Sequence, residues 1–235
     1  MNRTLAVARM QLVNKQTFVW VPLIITAVAF VISWLIAAII TNAIGAAPAM
    51  GSSFNGAGQA PLWYFLAIGI QSLTLTFPFS QAMSVSRRTF FVGTTAIAAG
   101  AGAVLATVYS LLRIPEASTN GWGVGSYMFN LPGITDATWY EGWVFFFAVT
   151  VSFFLLGFWI ATIYKRFGPT MVTTVLSAIG LVLIGAVALI TWQRWWGDVG
   201  AWLATQTPLT FGLWLLVLCV VLAGSSYLTL RRATP

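Results

Sequence analysis

Six long apolar stretches, separated by breaks that hold nearly every charge, constrain what this chain can fold into. They run from Phe18 to Thr41, Pro61 to Met83, Phe90 to Leu112, Glu141 to Tyr164, Pro169 to Trp192 and Pro208 to Leu230. Each has the roughly 20 residues that a helix needs to cross the hydrocarbon core of a bilayer. In hydrocarbon every backbone N–H and C=O must be paired within its own segment, so each stretch is expected to be α-helical. Pro61, Pro169 and Pro208 open their segments, where a missing N–H costs nothing. Only 6% of the 235 residues are charged, against roughly 25% in soluble domains. So few ionisable side chains could not cover a water-soluble globule of this size. The predicted fold class is all-α: a polytopic membrane protein with six transmembrane helices.

Lysine and arginine set the orientation. Arg3, Arg9 and Lys15 precede span one, and Arg87 and Arg88 lie between spans two and three. Lys165 and Arg166 lie between four and five, and Arg231 and Arg232 follow six. The opposite side carries Arg113, Arg194 and all four acids, Glu116, Asp136, Glu141 and Asp198. The positive-inside rule then puts both termini in the cytoplasm. On this reading the net charge of +7 reports topology, and no nucleic-acid partner is expected. Trp63, Trp139, Trp143, Trp192, Trp195, Trp196 and Trp202 gather near the outer ends of the spans, as an interfacial belt does. Residues 1–16 place Leu5, Ala8 and Leu12 at helical spacing among Arg3, Arg9, Asn14 and Gln16. That pattern predicts an amphipathic helix on the inner membrane surface ahead of a six-helix domain at 17–235, with a frayed basic tail as the alternative. The first apolar run is too long for a signal peptide, so span one is expected to be retained.

The chemistry available to such a chain is narrow. There is no histidine, which removes Ser-His-Asp hydrolysis, His-ligated metals and His proton shuttles. Cys219 is the single cysteine, so neither an internal disulfide nor a cysteine cluster can form. No Asp, Glu, Lys or Arg stands in the middle of a span, leaving proton or sodium coupling by carboxylates without its usual groups. Lys15 and Lys165 are the only lysines and neither follows a glycine, so no P-loop exists to hold ATP. No catalytic residue and no metal ligand set is expected, and any pumping would draw on a second polypeptide.

Within the spans, polar residues fall into stripes. Tyr64, Gln71, Thr74 and Gln81 share one face of span two, and Thr170, Thr173, Ser177 and Thr191 fall on a similar stripe of span five. A polar stripe in lipid must face protein or a water-accessible cavity. Two readings stay open: a translocation path lined by Gln71, Thr74, Gln81, Thr173 and Ser177, or ordinary helix packing. Pro78 should kink span two near its inner end. Span three repeats small residues (Gly93, Ala96, Gly100, Ala103), which suits close packing. The loop 113–140 is long and rich in glycine and aromatics, and residues 194–207 are expected to form a short helix at the outer interface. The inner turn between spans two and three is very short and carries Ser84, Ser86, Arg87, Arg88, Thr89, Phe90 and Phe91. It reads either as a positive anchor or as a docking knob for a cytoplasmic partner.

The Ser86-Arg87-Arg88-Thr89-Phe90-Phe91 turn, the Arg166-Phe167-Gly168 turn before span five and the terminal Leu230-Arg231-Arg232-Ala233 resemble the permease subunits of bacterial type-2 ABC exporters. So does the arrangement of six spans with cytoplasmic termini and an amphipathic N-terminal helix. The resemblance covers essentially the whole chain. It implies a multi-pass protein of the bacterial cytoplasmic membrane, working as a dimer with a second permease copy or homologue. It also implies a separate ATPase subunit that binds ATP and Mg, while this chain binds no cofactor itself. In such proteins Ser84 to Phe91 would couple to the ATPase, and Trp195, Trp196 and Trp202 would form an outer gate. The loop 113–140 is longer than in many members. The function expected is export of a hydrophobic or amphipathic compound, such as a drug, antimicrobial peptide or lipid-like molecule. A non-transporting membrane scaffold or sensor subunit is the alternative, and an uncoupled channel a third.

Overall fold

A computed structural model of the chain describes residues 16–45, 56–131 and 138–231. Most of the amphipathic helix expected at 1–16 lies outside the described residues, as does Arg232. The protein is an all-α, multi-pass membrane protein. Six helices are long and apolar enough to cross a membrane, and no strand occurs among the described residues. The helices are α1 (Val21–Ile44), α2 (Ala60–Gln71), α3 (Phe77–Ala82), α4 (Arg87–Ser118), α5 (Trp139–Phe167), α6 (Pro169–Trp192), α7 (Trp196–Ala204) and α8 (Pro208–Arg231). Span one is α1 with a π-helical turn at Gln16–Trp20 before it. Span two is α2 and α3 together, and α4, α5, α6 and α8 are spans three to six. Their ends are called inner and outer after the Lys and Arg bias.

Local chemistry sets the boundaries. Span two is interrupted by a π-helical turn, Ser72–Thr76, just before Pro78. Proline removes the N–H that would bond the carbonyl four residues earlier and its ring clashes there, so the widened turn absorbs the mismatch. Span three begins at Arg87 because Ser86 is its N-cap, with Ser86 Oγ accepting from Thr89 N at 3.2 Å. It then runs to Ser118, six residues past the expected end at Leu112. Pro115 sits in this last stretch without ending it, and its carbonyl accepts from Thr119 N at 3.0 Å and Thr119 Oγ1 at 2.7 Å. Span four ends at Gly168, whose φ of 83° is the left-handed backbone that glycine accepts, and Pro169 opens span five.

Span four is the hub of the packing. Spans six, two and three lie against it, and its Phe154 and Phe158 are fully buried with Phe65 of span two and Phe90 of span three. Two glycines let spans two and four touch backbone to backbone. A Cβ on Gly157 would strike the Leu66 carbonyl, and one on Gly69 would strike the Phe154 carbonyl. Gly212 brings span six to within contact of Val144 and Phe145, and Gly102 does the same for span three at Val151. Small residues at a crossing permit this approach where no hydrophobic force separates helix from lipid.

Two spans are held more loosely. No residue of span five is buried, and span four is its one substantial neighbour. Span one buries a narrow face, Phe18, Pro22 and Thr26, at four-residue spacing. It is also displaced outward. Phe18, expected at the inner end, packs on Phe154 in the middle of span four at 6.4 Å between rings, and Tyr64 Oη donates to the Thr17 carbonyl at 3.1 Å. The outer half of span one is drawn onto the folded loop after span three. Phe30 meets Trp122 and Phe129, Trp34 Nε1 donates to the Trp122 carbonyl, and Thr41 Oγ1 donates to that of Val124.

Candidate functional site

The inner turn is a compact joint between spans two and three. Ser84 takes a left-handed φ of 57°, and the chain closes through Ser84 N to the Gln81 carbonyl and Val85 N to the Ser80 carbonyl. Gln81 Nε2 donates to the Val85 carbonyl at 3.0 Å, so this expected path residue braces the turn. Ser86 Oγ and Thr89 Oγ1 lie 2.7 Å apart. Ser84, Ser86 and Arg88 are exposed, whereas Phe90 is fully buried and meets Phe77 of span two edge-on at 5.3 Å. Phe91 packs on Phe158 of span four and Tyr227 of span six. Arg87 reaches the end of span six, with Nη1 donating to the carbonyls of Leu230 at 3.3 Å and Arg231 at 3.2 Å. A cation on the last carbonyls of a helix satisfies orphan acceptors and opposes the negative end of the dipole. The turn thus presents serines and one arginine outward while Arg87, Phe90 and Phe91 bind it to spans two, four and six.

The two polar stripes do not meet within the chain. Thr74 Oγ1 bonds back to the Ile70 carbonyl and Thr173 Oγ1 to that of Thr170. Gln71, Thr173 and Ser177 are exposed on the surface of the single chain. Spans two and five each pack on span four and share no substantial contact with each other, so the two stripes are not brought together within the chain. At the outer end, the expected short helix is α7. Trp195 at its N-cap and Trp196 and Trp202 on it are about half exposed, and Trp196 Nε1 donates to Thr191 Oγ1 at 3.1 Å.

Sequence reasoning missed a buried carboxylate on the outer side. Glu116, counted only as an outer acid, is fully buried and gathers the loop after span three around itself. Its Oε1 accepts from Trp122 Nε1 at 3.0 Å and Met128 N at 2.8 Å; its Oε2 accepts from Phe129 N at 2.8 Å and from Asn130 N. An acid in the last turn of a helix faces the negative end of the dipole. Here three successive backbone N–H groups form an anion-binding concavity that compensates. The turn before them holds four consecutive left-handed residues, Asn120, Gly121, Trp122 and Gly123. Trp122 tolerates that conformation because its indole is tied to Glu116 and its N–H to Thr119 Oγ1 at 3.0 Å. One signal was available: a lone acid closing a long apolar helix, followed at once by a glycine-rich turn.

Among the described residues no group of three or more Cys, Asp or Glu side chains is assembled that could hold a metal ion. Comparisons with protein-family models, with curated proteins and with solved structures found no match.

Proposed function

We propose that the chain is the membrane-spanning permease subunit of an ATP-binding-cassette exporter, moving a hydrophobic or amphipathic compound across the bacterial cytoplasmic membrane. In this reading the chain is no enzyme. A separate ATPase subunit binds ATP and Mg, and a second permease copy or homologue completes the path. The observation that carries the reading is the inner turn. Its polar residues face outward, and Arg87, Phe90 and Phe91 link it to spans six, two and four. A push on the exposed Ser86 and Arg88 is therefore delivered to three spans at once. The exposed stripes at Gln71, Thr173 and Ser177 agree with a path shared between two subunits, since polar groups at membrane depth need protein or water beside them. Uncharged walls suit an apolar cargo. ATP binding would bias inward- against outward-facing arrangements through differential contact with this turn.

The test is reconstitution. The chain should purify with a stoichiometric nucleotide-binding subunit, and the complex should hydrolyse ATP faster when supplied with one of a panel of amphipathic compounds. Arg88→Glu should lower that stimulation while leaving membrane insertion unchanged. Accumulation of a solute by the chain alone, driven by a pH or sodium gradient, would refute the proposal.

A further inference from the structure

We propose that the outer half of the seam between spans two and four binds one acyl chain of an outer-leaflet lipid. A cavity of about 320 Å³ lies there, walled by Leu62, Tyr109, Phe145, Val149 and Phe153 and roofed by Met128 of the outer loop. Phe145, Val149 and Phe153 recur every four residues and form one face of span four. At 1.5 Å per residue they cover about 12 Å of depth, starting just inside the outer end of the span. One leaflet contributes about half of a 30 Å hydrocarbon core, so the cavity has the depth and direction of a lipid tail. Leu62 on span two and Phe145, Val149 and Phe153 on span four are each partly exposed, so this wall of the cavity is reachable from outside the chain.

The lining selects an apolar occupant. Its hydroxyl, that of Tyr109, already donates to the Gly58 carbonyl at 2.7 Å. Gln59 is the remaining polar side chain and is exposed, at the rim, where it suits an ester or hydroxyl near a headgroup. The volume stands at the bottom of the range for ligand sites, too small for a two-chain tail group. Left empty, the aromatic walls would forfeit dispersion contacts that a hydrocarbon chain restores. The roof is fixed independently of any ligand, because Met128 N is held by the buried Glu116 carboxylate. The site stands whether or not the chain transports anything.

The experiment uses full-length protein in vesicles of phosphatidylethanolamine and phosphatidylglycerol doped with a phospholipid bearing a diazirine at the end of one acyl chain. After irradiation, labelling of the segments around Leu62, Met128 and Phe145–Phe153 is compared with labelling of Val182 and Leu189, which stand exposed on the face of span five away from Thr173 and Ser177 and so report bulk lipid. The cavity segments should label more strongly than span five. Leu62→Trp and Val149→Trp, which fill the cavity, should each lower the ratio about tenfold, equivalent to about 1.4 kcal/mol of binding. Val149→Phe serves if either variant fails to fold. Equal labelling of cavity and span five, or ratios unchanged in the filled variants, would overturn the proposal. Loss of ATP-driven transport would not bear on it.

Discussion

Replacing Glu116 by glutamine should unlock the outer loop while leaving the six spans assembled. The side chain is isosteric, so no cavity arises and the change is one of hydrogen bonding alone. Each carboxylate oxygen receives two N–H donors. A glutamine keeps one oxygen, and its NH2 group then faces two N–H groups donor to donor. Hydrogen bonds to a charged group contribute about 1.5–3 kcal/mol each, so losing two costs about 3–6 kcal/mol. Water reaches the Phe129 donor only if the loop opens, because Met128 and Phe129 are buried, while Asn130 is part-buried. The readout is hydrogen exchange of the Met128, Phe129 and Asn130 amides in detergent or nanodiscs. Local opening made easier by about 3 kcal/mol speeds exchange by roughly two orders of magnitude. Amides in the middle of span four should not change. Exchange at Met128 to Asn130 within about threefold of the parent, a difference under about 1 kcal/mol, would refute the assignment of Glu116 as the organiser of this loop.

Other perturbations probe the remaining contacts. Gly157→Val drives a branched side chain into the Leu66 carbonyl and should cost about 1–3 kcal/mol or more, read as a lower thermal midpoint of the purified protein. Gly180→Val on span five meets open space and should leave that midpoint unchanged; equal effects would refute the glycine crossing. Arg87→Ala removes the donor on the Leu230 and Arg231 carbonyls and should loosen the last turn of span six by about 0.3–1 kcal/mol, seen as faster proteolysis of the C-terminus. Ser86→Ala removes the cap of span three and should cost about 1 kcal/mol, seen as faster exchange of the Thr89 amide.

The hydropathy of the chain made the six spans legible, because a bilayer demands the same thing of every crossing helix wherever it packs. Packing was less so. Span six is apolar all round, and its buried face, which includes Gly212, Cys219 and Ser226, is marked by small side chains among equally greasy neighbours. Gly69 and Gly157 lie on different spans, and no spacing within one helix pairs them. The composition of Arg113-Ile114-Pro115-Glu116 reads as a loop and ends span three at Leu112, whereas the fold carries the helix to Ser118 and spends Glu116 on closing its end. The partners of that carboxylate are mostly backbone N–H groups, which carry no residue identity for a sequence to display. The outward displacement of span one follows from the same loop, since Phe30, Trp34 and Thr41 are drawn to it. The spacing of Tyr64, Gln71, Thr74 and Gln81 suggests a single face, but the π-helical turn Ser72–Thr76 falls inside the stripe and shifts its phase, and Tyr64 and Gln81 meet different partners, the Thr17 and Val85 carbonyls.

That stripe holds the residue that separates packing from passage. Thr74 and Thr173 satisfy their hydroxyls on their own helices, so either could face lipid at little cost. Gln71 cannot do the same. Its amide carries two donors and an acceptor, it is exposed, and its side chain makes no hydrogen bond among the described residues. It also stands directly before the π-helical turn that Pro78 imposes, where span two is least regular. A polar amide facing hydrocarbon costs about 1–3 kcal/mol by mutational scales, so Gln71→Leu should raise the thermal midpoint of the isolated chain if lipid is all it meets. On the proposed function, the same substitution should also lower substrate-stimulated ATP hydrolysis by the assembled complex, because Gln71 would then face the second subunit or the cargo. A stabilised chain with undiminished stimulation would remove Gln71 from the path and leave span two a packing element.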